Sequence, residues 1–198
     1  MNPKIEKLVK IFAKLPRVGN RAARRIVLEL LQDKTGRIEK MMDALSDARE
    51  NIHACPTCGV LTDCAFQQCE YCRDMARANG MICIVRDLSD VWTLEKSGVF
   101  NGRYHILGGL LSGMAGITPD DLNIEKLPRR ILDENISEVI FALPNTVEGK
   151  TTQQYIISAI GNAGVQFTEL ASGVPLGGDL DYIDDGTLSL AFGGRRTI

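Results

Sequence analysis

The chain has 198 residues, of which 44% are hydrophobic and 24% charged. These are ordinary globular proportions, and the length allows a sizeable core and more than one unit. No apolar run approaches the ~20 residues of a membrane span, and Met1–Glu6 lacks the apolar core of a signal peptide. A cytoplasmic protein with reduced thiols is expected, which favours metal over disulfides for its six cysteines. The net charge of -2 hides an asymmetry: residues 1–50 hold 12 Lys and Arg against 7 Asp and Glu, and the remainder is acidic. A basic head suits a polyanion.

The head begins with Asn2 as a helix cap and Pro3 at the first helical position. Ile5, Leu8, Val9 and Phe12 follow helical spacing. Pro16 and Gly19 break the pattern, and Asn20 is placed to cap a second helix carrying Ala23, Ile26, Val27, Leu30 and Leu31. A third helix carries Ile38, Met41, Met42, Leu45 and Ala48. Between Lys14 and Arg25 lie five cations, Lys14, Arg17, Arg21, Arg24 and Arg25, and no acid. Two short helices joined by an apolar Gly-containing turn resemble a helix-hairpin-helix, whose free amides accept phosphate. Arginines beside them add charge-assisted bonds. No residue is placed to read a base, so binding is expected to be largely independent of sequence and sensitive to salt. A packed helical hairpin with solvated arginines is the alternative.

Cys55-Pro-Thr-Cys58 and Cys69-Glu-Tyr-Cys72 follow as two Cys-x-x-Cys knuckles ten residues apart. Four thiolates suit one closed, tetrahedral, structural zinc site and leave no open position for catalysis. Cys64 and His53 are weaker spare ligands, and Cys83 reads as a small core residue. Apolar residues are sparse around the knuckles, so the metal is expected to supply much of the local stability. In this reading the knuckles staple the head to the rest of the chain.

Beyond them, strands at Met81–Val85, Tyr104–Leu107, Val139–Leu143 and Val165–Leu170 alternate with helices around Val91–Leu94, Ile124–Asn135 and Thr151–Ala163. This alternation predicts a doubly wound α/β domain, with ligands at the carboxyl ends of parallel strands. Glu148-Gly149-Lys150-Thr151 lies between a predicted strand and helix, but Pro144 replaces the first glycine of a P-loop, which is rejected. Asp87, Asp90 and Glu148 form no obvious magnesium set. His105 reads as a structural histidine. The tail is glycine-rich from Gly173 to Gly178. A short helix is predicted at Asp184–Ala191, and Arg195-Arg196 closes a basic end.

The order of these parts resembles the RecR family of bacterial recombination mediators along essentially the whole chain. The motifs are Leu15-Pro16-x-Val18-Gly19 with Ala22-Ala23-x-Arg25; the paired cysteines; Asp90-Val91; Glu95-Lys96-Ser97-Gly98; Gly102-x-Tyr104-His105-x-Leu107; Thr146-Val147-Glu148-Gly149; Gly173-Val174-Pro175-x-Gly177-Gly178; and Thr187-Leu188 with Gly194-Arg195. The resemblance implies a multidomain α/β protein: a helix-hairpin-helix DNA-binding head at residues 1–52, a four-cysteine zinc finger at 53–76, a Toprim domain at 77–175 and a Walker-B-like tail at 176–198 that contacts another subunit. It implies a ring-like homotetramer that clamps DNA and helps RecO and RecF load RecA at single-stranded gaps during DNA repair. By position, Arg21 and Arg25 match the family's DNA-contacting residues. Catalytic Toprim enzymes carry Glu after the first strand and Asp-x-Asp after a later one; here those positions are Arg86, Pro144 and Thr146, and Glu148 alone remains, as a partner surface. A non-enzymatic mediator is expected; the alternative is a metal-dependent Toprim enzyme that cuts or joins phosphodiesters. Lys150, where the family often has Glu, and the Pro144-Asn145 order depart from the family pattern.

Overall fold

A computed structural model describes residues 2–63, 67–161, 164–171, 173–175, 177 and 179–195. The chain divides into two compact units, Met1–Ile52 and His53–Ile198.

The first unit is helical. Helix α1 spans Pro3–Phe12, and the Asn2 side chain accepts a bond from the Lys4 amide. Helix α2 spans Asn20–Gln32. Its cap is Gly19 rather than Asn20, which already has helical geometry, and no side chain caps this end. Between them the chain turns through Arg17, a non-glycine residue at φ 63°. Val9, Ala23 and Val27 are buried between the two helices, with Ile5, Phe12, Ala13 and Val18 packed against them. Helix α3, Arg37–Asn51, buries nothing: Met41, Met42 and Leu45 follow the expected period yet stand exposed.

The second unit is built on a four-stranded parallel sheet. Strands β1, His53–Ala54, and β2, Leu61–Thr62, form a small antiparallel ribbon that carries the first knuckle. Helix α4, Glu70–Arg73, carries the second. The main strands are β3, Met81–Val85; β4, Arg103–Ile106; β5, Glu138–Ala142; and β6, Gln166–Glu169, in spatial order β4-β3-β5-β6. Helices α5, Leu88–Ser97, α6, Leu127–Asp133, and α7, Val147–Ile160, make the crossovers. Strand order reverses between β3 and β5, which is where doubly wound sheets gather ligands.

The side-chain period of two divides β3 between two cores. Ile82 and Ile84 join Val139, Phe141, Leu127, Ile131, Ile156 and Ile160. Cys83 and Val85 join Val91, Tyr104, Ile106 and all four knuckle cysteines. The knuckles therefore share an apolar core with the sheet, richer than their own composition suggests.

Two predicted helix bounds are corrected. The expected helix Ile124–Asn135 is shorter, because Pro128 sits in the first turn of α6, a position proline favours. Helix α7 starts four residues before the expected Thr151. Thr146 is its cap, accepting from the Gly149 amide, so Glu148, Gly149 and Lys150 lie inside the first turn rather than in a loop. The predicted end of that helix at Ala163 lies outside the described residues, as do Cys64, Gly178 and Arg196. In the tail a 3₁₀ turn, Leu180–Tyr182, precedes helix α8, Asp185–Gly193, capped by Asp184. No residue of α8 is buried, and Leu180, Tyr182, Leu190 and Phe192 are exposed.

The start of α7 is tightly built. A Cβ on Gly149 would lie 1.9 Å from the Pro144 carbonyl oxygen, a backbone atom that cannot swing away. Gly149→Ala is expected to destabilise the second unit by about 2 kcal/mol or more through overpacking, against about 1 kcal/mol for loss of the cap in Thr146→Ala. Urea unfolding of the two variants checks this; a smaller loss for Gly149→Ala would refute the close approach.

Candidate metal centre and nucleic-acid surface

Each knuckle turns back tightly enough to aim two sulfurs inward. In the first, Gly59, at φ 81°, lets the chain reverse, and the Gly59 amide bonds the Cys55 carbonyl at 2.9 Å. In the second, Cys69 precedes α4 and Cys72 lies within it. The Sγ atoms of Cys55, Cys58, Cys69 and Cys72 all lie within 4.8 Å of one another, and all four residues are buried. Cys58 Sγ and Cys69 Sγ are 3.4 Å apart; a tetrahedral zinc with Zn–S bonds of ~2.3 Å sets its sulfurs ~3.8 Å apart. Backbone amides of Cys69 and Val60 donate to Cys55 Sγ and Cys58 Sγ at 3.4 and 3.5 Å. The set fits a closed metal site. Among the described residues it is the one group of three or more ligand-type side chains that could share an ion, and His53 is not part of it.

Packed thiols resist losing all their protons together. Hydrogen bonds to neighbouring sulfurs, with burial, push Cys58 and Cys72 up, whereas bonds accepted from neighbouring thiols pull Cys55 down. A bound dication favours the ionised form of all four. Cys83, buried in the same core, has its thiol pushed up to about 12 by desolvation first and by the nearby Asp90 carboxylate.

The knuckles are tied into the sheet by specific bonds. Cys58 O accepts from Ile106 N at 2.8 Å on β4, the edge strand. Lys126 Nζ donates to Pro56 O at 3.4 Å. Arg77 forks to Glu95 at 3.0 and 2.7 Å and lies over the rings of Tyr71 and Tyr104, which joins α4, α5 and β4. Arg130 on α6 is buried; it donates to Tyr104 O at 2.7 Å, His105 Nδ1 at 3.2 Å, Glu134 Oε1 at 2.9 Å and Cys72 Sγ at 3.8 Å. No pattern in the sequence pointed to Arg130, because its partners lie far away along the chain.

His105 is fully buried, with Nε2 against the Asn123 carbonyl. The carbonyl accepts, so Nε2 carries the proton and Nδ1 accepts from Arg130. Burial is the largest influence, and with Arg130 nearby it brings His105 down to about 4 despite the bond to Asn123. The histidine is neutral and structural, as expected.

At the carboxyl ends of the sheet, Arg86 follows β3 and pairs with Asp87 at 2.9 Å. Asp90 accepts from the Arg86 and Asp87 amides at 3.2 Å as the capping partner of α5. Pro144 and Thr146 form the turn into α7; Glu148 is exposed on its first turn, and Lys150 pairs with Glu169 across to β6.

In the first unit, Lys14, Arg17, Arg21, Arg24 and Arg25 are all exposed. Arg21 and Arg25, one helical turn apart, flank a cleft with Gly19, Ala22, Ile26 and Glu29. This cleft opens at the uncapped N-terminus of α2, which has no acidic residue in its first turn. Amides and guanidinium groups thus converge on one exposed place suited to phosphate.

Comparison with known proteins gives three family matches along the chain: "RecR, helix-hairpin-helix" over residues 5–49, "Toprim domain" over 80–171 and "RecR, C-terminal" over 173–196. The chain is 46% identical to the recombination protein RecR of Cereibacter sphaeroides over 97% of its own length and 96% of the relative's. It is 45% identical to RecR of Maricaulis maris, covering 99% and 96%, and 45% identical to RecR of Rhodospirillum rubrum, covering 98% of each. No helix among the described residues is long and apolar enough to cross a membrane.

The buried histidine makes stability depend on acid. Its pKa in the fold is below the free value of 6.5, so its contribution is complete above pH 6.5 and is lost as pH falls toward 4. Relative to His105→Gln, the wild-type chain is expected to lose roughly 3 kcal/mol across that window. Parallel urea titrations at several pH values check it, since any thiol contribution is common to both chains; equal pH slopes would refute it.

Proposed function

The chain belongs to the RecR family of recombination proteins, and on that footing we propose that it is a DNA-binding mediator of recombinational repair. The observation that carries this reading is the convergence of exposed arginines on the uncapped start of α2 in the hairpin. Phosphate held there is recognised by charge and amide direction, so binding tracks the backbone and not the bases. Lys14, Arg17 and Arg24 widen the contact around Arg21 and Arg25.

In this reading the chain acts as a homo-oligomeric clamp, a tetramer by its likeness to the family. It works with RecO and RecF to place RecA on single-stranded gaps. Two exposed apolar surfaces support subunit contact: the Met41, Met42 and Leu45 stripe of α3, and Leu190 and Phe192 on α8. Glu148, exposed at the end of the sheet, serves as a partner surface. The protein is not a phosphodiester enzyme. Support for that comes from Arg86, Pro144 and Thr146, which occupy the positions where catalytic relatives of the Toprim fold keep carboxylates. The four cysteines hold one structural zinc per chain, and their arrangement fits that ion.

Two measurements test this. Arg21→Ala with Arg25→Ala is expected to weaken binding to DNA of any sequence and to lower the slope of log K against log salt by about 1.5 to 2. An unchanged affinity and slope, read by fluorescence anisotropy at several salt concentrations, would remove the hairpin as the DNA site. Metal analysis of the reduced wild-type chain is expected to give one zinc, and Cys55→Ser is expected to lose both the metal and the thermal transition of the second unit. A zinc-free wild-type protein of full stability would refute the metal reading.

A further inference from the structure

The sulfurs of Cys55 and Cys58 each accept a backbone amide, whereas Cys72 accepts from a side chain, Arg130. That guanidinium is unusual for its surroundings. The Arg130 side chain is 4% exposed, and its only carboxylate partner among the described residues, Glu134, is shared with Arg103 at 2.8 Å. Glu134 and Arg103 are themselves nearly buried, with side chains 11% and 12% exposed. His105, the other neighbour, is neutral. Two guanidinium groups thus share one carboxylate at ion-pair distance in a low-dielectric setting, so Glu134 alone does not balance both. Its other polar neighbours are the Tyr104 carbonyl at 2.7 Å and Cys72 Sγ at 3.8 Å from Arg130. A zinc ion with four thiolates carries two negative charges, so a guanidinium at Cys72 meets a charge of opposite sign.

We propose that Arg130 is a positioning residue of the four-cysteine centre, donating to the Cys72 thiolate and balancing part of the charge of the loaded site. The inference rests on reading the cysteines as a zinc site. The same guanidinium holds the Tyr104 carbonyl and His105 Nδ1, so the metal centre, edge strand β4 and helix α6 share one hydrogen-bonded cation. Partners of this kind fix ligand geometry and tune affinity without touching the metal.

The test uses the full chain with zinc affinity measured by competition with a chromogenic chelator. Cobalt substitution reads the thiolate-to-metal absorption band as a second observable. Arg130→Gln is expected to weaken zinc binding by about 10- to 100-fold and to shift the cobalt band. Arg130→Lys keeps the charge but not the fork, and is expected to lose about three- to tenfold; it also serves if the Gln variant does not fold. Ile131→Val removes one methylene from the adjacent buried residue; it is expected to lower stability while leaving zinc affinity and the cobalt band unchanged. Wild-type affinity and band in both Arg130 variants would overturn the proposal, as would an equal affinity loss in Ile131→Val. A wild-type chain that takes up no zinc would instead overturn the zinc reading beneath it.

Discussion

Four thiol sulfurs packed within 4.8 Å of one another set the constraint on which the second unit depends. Left as thiols they are poor hydrogen-bonding groups in a buried place; left as thiolates they repel. A dication resolves both difficulties, and the surrounding chain is arranged for that outcome. Amides point at two sulfurs, and a buried arginine points at a third. Because the cysteines also pack with Val85, Val91, Tyr104 and Ile106, the same cluster closes one face of the parallel sheet. The centre is a structural part of the α/β unit, welded to it by apolar contact as well as by the Cys58–Ile106 bond.

The first unit solves a different problem with smaller means. Its core of Val9, Ala23 and Val27 is slight, and burial of each valine contributes about 1.5 to 3 kcal/mol before chain entropy is counted. What it fixes is the direction of one helix end. Gly19 leaves the amides of α2 without a side-chain cap, and no acid lies between Lys14 and Arg25 to oppose their charge from within the hairpin turn. A site made this way suits a ligand whose spacing is constant and whose sequence is not, which is the chemistry of a nucleic-acid backbone.

Much of this was legible along the chain, for reasons that differ by element. Strands β3 and β5 were plain because strands covered on both faces need unbroken apolar runs. The metal set was plain because a knuckle draws two ligands from one turn, so its spacing is local. The start of α7 was misplaced because Gly149 and Pro144 punctuate a loop in most contexts, and here the glycine serves a close approach inside a helical turn. The stripe on α3 had the right period, but periodicity reports a face and not whether this chain covers it. Arg130 was invisible for the deeper reason: it sits beside Arg129 in an ordinary basic pair, and only folding brings it to a cysteine 58 residues earlier.

The bond from Ile106 to Cys58 also bears on solubility. Strand β4 is one of the two edges of the parallel sheet, and an open edge is a template on which another chain can add a strand. The first knuckle takes up the Ile106 donor at the end of that edge. Opening of the knuckle therefore does more than loosen a turn: it uncovers the Ile106 backbone donor on a strand that itself carries Tyr104 and Ile106, a combination that invites self-association. The first knuckle is thus a guard on the sheet edge as well as half of a candidate metal centre.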